Sequence, residues 1–136
     1  MIVGMGHDIL EIERIADMRE RSSWERFLQK VLTEAERDLA STRGGRIIEF
    51  VAGRFAAKEA VVKALGCGIG EKVGFTDIEI LPDRLGKPCC TLSQEAWKRL
   101  WMDESSYVIH ISITHQRSLA SAMAIVERRE DSQAYA

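Results

Sequence analysis

The chain has 136 residues and a formal net charge of −2, which excludes a whole-surface basic field of the kind that grips nucleic acid. With 46% apolar and 29% charged residues it has the profile of a globular protein long enough to bury a core without staples. Its three cysteines, Cys67, Cys89 and Cys90, are odd in number and form no C-x-x-C pair, so neither a disulfide framework nor zinc is expected, and free thiols fit a reducing cytoplasm.

Taken in order, the start MIVGMGHDILEIERI lacks a basic stretch and reads as no secretion signal. No apolar run in the chain approaches membrane-spanning length. Residues 2–8 predict a short strand whose glycines, Gly4 and Gly6, admit a neighbouring backbone or a ligand. Ile9, Ile12 and Ile15 then recur at helical spacing, with Asp8 available to cap the helix. Ser22 and Ser23 break it before a second helix from about Trp24 to Val31. Thr33 and Glu36 form a capping box for a third, ending near Ser41. Gly44 and Gly45 mark a turn, and residues 46–65 predict a long central helix stopped by Gly66 and Gly68. A strand over 75–81, a turn over 83–88 and a short strand to Leu92 follow. Ser93 caps a helix over 94–102, and two strands, 107–114 and 119–127, come last. In the first of these Tyr107, Ile109, Ile111 and Ile113 share a face. The alanines at 120, 122 and 124, with Met123, suggest a spare sheet face that another subunit covers. The polar tail, 128–136, is expected to fray. Early helices and late, closely linked strands predict an α+β fold, an antiparallel sheet packed with helices around the central one.

The central helix, GRFAAKEAVVKALGCGIG over 53–70, sets Arg54, Lys58, Glu59 and Lys63 among alanine, valine and leucine. Phe55, Glu59, Val62 and Gly66 share a stripe with Lys63 beside it, while Ala57, Val61, Ala64 and Leu65 fill other directions. Glu59 is therefore expected to project from a packed wall. Two readings follow: Glu59 and Lys63 are a simple i,i+4 pair, or Glu59 is a hard oxygen ligand and Lys63 faces a phosphate. A metal needs a second carboxylate, for which Asp8 is the best candidate, and two carboxylates with phosphate oxygens suit Mg²⁺. The glycines at 66, 68 and 70 either stop the helix or bring backbone N–H groups to a polyphosphate. They lack the Lys-Ser/Thr ending of a P-loop.

MIVGMGHDILEIERI and GRFAAKEAVVKALGCGIG together resemble the two signatures of the holo-[acyl-carrier-protein] synthases, the short, single-domain 4'-phosphopantetheinyl transferases. The similarity continues through RFLQKVLTEAE, FTDIEILPDRLGKP and ISITH, and so covers a domain over residues 1–127. It implies the transferase fold and Mg-dependent transfer of 4'-phosphopantetheine from coenzyme A to a serine of apo acyl carrier protein, with Mn²⁺ able to substitute. It implies a cytoplasmic homotrimer with sites at subunit interfaces, and no nucleic-acid or membrane partner. By the resemblance Asp8 and Glu59 bind the metal, and Lys63 contacts the pyrophosphate and stabilises the leaving group. Arg54 and His115 hold the nucleotide part, including its 3'-phosphate. Gly66, Gly68 and Ile69 lie along the coenzyme, and Arg14 and Arg21 meet the acidic carrier. Whether water or Glu59 accepts the serine proton stays open. His7 stands where small or aliphatic residues are usual; strand alternation turns it away from Asp8, so it is not expected to be a third ligand. Cys89 and Cys90 are expected to be ordinary strand residues. The rivals are a non-catalytic coenzyme A or nucleotide-binding module, which needs neither Asp8 nor Glu59, and a structural oligomer.

Overall fold

The computed structural model describes residues 1–130. Strand β1 (Ile2–Glu11) leads into α1 (Ile12–Arg19), α2 (Trp24–Val31), α3 (Glu34–Ala40) and the long α4 (Ile47–Ala64). A hairpin of β2 (Ile78–Pro82) and β3 (Pro88–Leu92), a short α5 (Gln94–Arg99), and strands β4 (Tyr107–His115) and β5 (Leu119–Arg128) complete the described chain. The α+β class holds, but the strands form two antiparallel sheets: one ordered β1-β5-β4, and the separate β2-β3 hairpin.

Helix α4 lies across the three-stranded sheet and is covered by α1 and α3 from the other side. Val51, Ala52, Ala56, Ala57, Ala60, Val61 and Val62 are all fully buried. The sheet meets it with small residues. Ala120, Ala122, Ala124 and Val126 of β5 are buried on the helix-facing side, with Ile109, Ile111 and Ile113 of β4 beside them. Small side chains on both surfaces let helix and sheet approach closely.

The closest approach is at β1. A Cβ on Gly4 would stand 1.9 Å from the carbonyl oxygen of Ala64, and one on Gly6 1.9 Å from that of Ala60. Both contacts are to backbone, which has no rotamer by which to yield. The glycines are thus the condition for seating α4 directly on the strand.

Several local expectations are corrected. β1 runs on to Glu11, so Ile9 is a strand residue and the helical repeat begins at Ile12. Asp8 lies mid-strand and caps nothing; the cap position of α1 is Glu11. Residues 75–77 form a 3₁₀ turn, because Asp77 folds back to accept from Gly74 N–H, and the strand starts only at Ile78. The helix expected over 94–102 ends at Arg99, and Trp101 follows with φ 57°. The alanines of β5 face α4 rather than a spare surface. The outer face instead carries Met5, Ile9, Leu119 and Met123, all exposed. Most of the tail expected to fray lies outside the described residues, and Arg128 itself closes β5.

Replacing Gly6 with alanine is expected to destabilise the protein by about 3 kcal/mol, the upper end of ordinary overpacking, because backbone must move. Denaturant unfolding at fixed protein concentration measures this; a loss below about 0.5 kcal/mol would show that the strand can withdraw freely.

Candidate active site

Alternation along β1 puts Gly4, Gly6, Asp8 and Leu10 on the inner face, paired with Val126, Ala124, Ala122 and Ala120. Asp8 is the next inward residue after the two glycines, so the approach they permit carries its carboxylate to the flank of α4. There Lys63 Nζ donates to Asp8 Oδ1 at 3.0 Å and to the His7 carbonyl oxygen at 3.0 Å. The Asp8 side chain is 19% exposed and that of Lys63 51%, so the pair stands at the rim of the packed region. The simple i,i+4 reading of Glu59 and Lys63 gives way, since the ammonium bridges to the strand. Glu59 completes the cluster electrostatically. Its carboxyl is pushed above the ordinary value by partial burial and then by the Asp8 charge, with Lys63 opposing. His7 points to the other face, where Nε2 meets Ser121 Oγ at 2.8 Å.

A second feature lies elsewhere on the same helix. A cavity of about 280 Å³ opens between the N-terminal half of α4, the β2-β3 turn and the end of β4. Arg43, Arg46, Arg54 and His115 line it, with Glu49 its one carboxylate. Arg54 is almost buried; its Nε donates to the Ile80 carbonyl oxygen at 3.1 Å, and its guanidinium carbon lies 4.4 Å from the centre of the Phe50 ring. Arg43 approaches the same ring at 5.2 Å. Burial lowers the Arg54 pKa, Glu36 opposes that, and Arg43 adds to it. His115 Nδ1 is 3.9 Å from Glu49 Oε2. Three guanidinium groups and an imidazole around one cavity give it the chemistry to hold an anion.

Two groups of expected site residues therefore come together, but separately. Asp8, Glu59 and Lys63 form one cluster; Arg54 and His115 form the other. Glu59 lies five positions beyond Arg54 on the helix, a rotation of about 140°, and none of the first cluster lines the cavity. Gly66, Gly68 and Ile69 also lie outside it. Gly66, at φ 77°, closes α4 in a Schellman motif: Cys67 N–H donates to Val62 O, and Gly66 N–H to Lys63 O. The loop thus leaves the helix beside Lys63.

Arg14 and Arg21 are exposed, but α1 ends at Arg19, so Arg21 stands in the following turn and the two do not share a helical face. Cys89 is an exposed strand residue, and burial raises the thiol pKa of its neighbour Cys90 to about 12. Arg43 and Arg46 were not singled out from the sequence. The signal was present: two arginines flank a glycine pair at the N-terminus of a long helix, where the helix dipole already disfavours cations.

A family model for the 4'-phosphopantetheinyl transferase superfamily matches residues 4–122. The chain belongs to that superfamily. It is 45% identical over 128 residues to the holo-[acyl-carrier-protein] synthase of Bacillus cytotoxicus, covering 93% of this chain and 97% of that protein. A crystal structure of a Bacillus anthracis holo-(acyl-carrier-protein) synthase in complex with CoA (3',5'-ADP) matches with TM-score 0.79 and 42% identity, covering 95% of this chain and 99% of the other. The Neisseria meningitidis holo-[acyl-carrier-protein] synthase matches at TM-score 0.84 and 32% identity, over 94% of this chain and 100% of that one. As a phosphopantetheinyl transferase the chain is an enzyme, and its α+β arrangement around a long helix is that of these relatives. No helix among the described residues is long and apolar enough to cross a membrane.

The raised Glu59 pKa carries a sign. A carboxyl whose folded pKa exceeds its unfolded value contributes stability below the unfolded pKa and loses it as pH rises through the folded one. Glu59→Gln should therefore raise the melting temperature of metal-free protein at pH 7. The gain should shrink as pH falls through the ordinary glutamate value of 4.5. Thermal unfolding in chelator at pH 7 and pH 4 checks it; equal gains at both would assign the effect to packing.

Proposed function

We propose that this chain is a holo-[acyl-carrier-protein] synthase: it transfers 4'-phosphopantetheine from coenzyme A to a serine hydroxyl of an apo acyl carrier protein and releases adenosine 3',5'-bisphosphate. The observation that carries the reading is the pairing, along one helix, of a carboxylate-lysine cluster with an arginine-lined cavity. One end of coenzyme A is a nucleotide with a 3'-phosphate, which suits the cavity of Arg43, Arg46, Arg54 and His115. Its reacting centre is a pyrophosphate, which suits Asp8, Glu59 and Lys63. A binding module has no need of the second cluster. We take residues 1–127 as one transferase domain working in the cytoplasm.

Asp8 and Glu59 fit a divalent cation. The Asp8 charge raises the cost of ionising Glu59, and Lys63 opposes it. Their hard oxygens suit Mg²⁺, with Mn²⁺ in its place. When bound, the ion supplies charge neutralisation on the pyrophosphate oxygens. The chain's residues do the rest by placement, as phosphoryl transfer requires. Lys63, more than half exposed at the cluster rim, can turn its ammonium from Asp8 toward a phosphate oxygen and hold the charge that develops on the leaving bisphosphate. The cavity arginines anchor the nucleotide so that the phosphorus next to pantetheine faces the serine. The serine oxygen forms the new bond to that phosphorus, its proton passing to water or to Glu59, while the bond to the bisphosphate oxygen breaks. Arg14 on α1 and Arg21 in the turn after it supply positive charge for an acidic carrier; Gly66 and Gly68 let the coenzyme approach the backbone, with Ile69 as an apolar wall.

Mass spectrometry of the carrier after incubation with coenzyme A and Mg²⁺ tests the activity: the carrier should gain one phosphopantetheine, and chelator should prevent it. Asp8→Ala and Glu59→Ala should each slow turnover by about a hundredfold or more while the protein stays folded. Full turnover by either would end the metal assignment. In the same assay Arg14→Glu with Arg21→Glu should raise KM for the carrier and weaken its salt dependence, leaving KM for coenzyme A unchanged.

The two clusters face different sides of α4, and Met5, Ile9, Leu119 and Met123 leave an apolar outer sheet face exposed. Both are accounted for if subunits associate and each coenzyme meets the cavity of one chain and the carboxylates of the next. The count of three follows the family resemblance. Activity per chain should fall on dilution in step with dissociation seen by sedimentation; a fully active monomer would refute the shared site.

A further inference from the structure

Two charged side chains play no part in the chemistry above and are completely buried: Lys58 of α4 and Glu36 of α3. Lys58 Nζ donates to Glu36 Oε1 at 2.5 Å, to the Val31 carbonyl oxygen at 2.7 Å and to that of Phe75 at 3.0 Å. Those three bonds exhaust its donors, so it has none for a ligand. Glu36 Oε1 also accepts from Thr33 N–H at 2.8 Å, closing the capping box of α3. Its other oxygen, Oε2, accepts from Ile80 N–H at 3.0 Å.

Ile80 is where the network turns toward the site. In a strand the N–H and C=O of one residue point to the same side. Those of Ile80 leave the edge of β2 away from β3: the N–H goes to Glu36, and the C=O accepts from Arg54 Nε. A continuous path thus runs from Lys58 through Glu36 and the Ile80 backbone to Arg54, which is clamped on its other side by the Phe50 ring. With Nε committed, the terminal nitrogens of Arg54 have no hydrogen-bond partner among the described residues, and Arg54 is one of the residues lining the cavity.

A buried ion pair seldom adds stability over apolar residues of the same volume. A pair retained at full burial, with four of its bonds going to backbone in different segments, is better explained by what it fixes.

We propose that Glu36, held by Lys58, is a positioning residue for the anion cavity: through the Ile80 peptide it sets the pose in which Arg54 meets the 3'-phosphate of coenzyme A. This rests on the reading that the cavity takes that phosphate. Glu36 itself touches no ligand. Loss of its charge leaves Ile80 N–H poorly satisfied, lets the β2 edge shift, and removes the fixed acceptor that orients the guanidinium.

The test compares affinity for coenzyme A with that for dephospho-coenzyme A, which lacks only the 3'-phosphate, by calorimetry in Mg²⁺. The wild type should prefer coenzyme A, and Arg54→Gln should remove most of that preference. Glu36→Gln should reduce it by about tenfold, or 1.4 kcal/mol, with little change in affinity for the dephospho form. The double variant should lose no more than Arg54→Gln alone, because the second residue acts through the first. A role confined to stability would lower the melting temperature and leave the preference intact, and that result overturns the proposal, as does an additive double variant. If Glu36→Gln does not fold, Glu36→Gln with Lys58→Met removes both charges together. A reduced preference in that variant supports the proposal; a wild-type preference, or failure of both variants to fold, overturns it. A wild type without preference would instead remove the cavity reading beneath it.

Discussion

Two backbones in direct contact set the geometry of this protein. Where β1 crosses α4, Gly4 and Gly6 leave no side chain between the strand and the carbonyl groups of Ala64 and Ala60. Any larger residue would push the strand outward. Asp8 follows one pleat later, so the same displacement would carry its carboxylate from Lys63 and Glu59. Packing and chemistry are thus coupled through two residues that carry no chemistry themselves. The alanines of α4 and of β5 extend this close fit across the sheet, which explains why so apolar a helix can carry charges at all. The charges occupy its rims and one fully satisfied interior pocket.

The four charges of the central helix have different burdens. Beside Asp8, Glu59 is partly buried and Lys63 half exposed, so both reach solvent. Arg54 is nearly buried, yet lines a cavity. Lys58 is sealed, with every donor engaged. Exposure therefore sorts residues that look alike in the sequence into ligand-facing and framework groups. Hydrogen-bond saturation decides the assignment more firmly than charge, since a cation without a free donor cannot greet a phosphate.

Much of this was legible in the sequence, for identifiable reasons. Helix α4 and the capping box at Thr33 and Glu36 depend on local spacing, and local spacing is what a sequence displays. The close-approach role of Gly4 and Gly6 could be expected from glycines in a strand, though their partner could not. The span of β1 was misjudged because Ile9 fits a strand alternation and a helical repeat equally well. Arg14 and Arg21 show a related limit: a seven-residue interval implies a shared face only while a helix continues, and α1 ends at Arg19. The link between Glu36 and Lys58 joins residues 22 apart through burial, and the capping box had already given Glu36 a sufficient local role. The separation of Arg54 from Glu59 was computable from helical geometry. Its meaning appears only once Asp8 and Glu59 are seen to lie outside the cavity.

That separation constrains symmetry. Helix α4 spans 18 residues, roughly 27 Å, and acts as a rigid bar with an anion-seeking side and a cation-seeking side. Two copies related by a twofold axis present the same patch to each other. A pairing of cavity with cavity, or of carboxylates with carboxylates, would crowd like charges. Where unlike sides meet across a head-to-tail contact, each copy keeps one side unmatched until a further copy arrives. Such a contact ends only when rotation brings the last copy back to the first. Should subunits associate through α4 as proposed, its opposed sides favour a closed ring over a pairing of like patches.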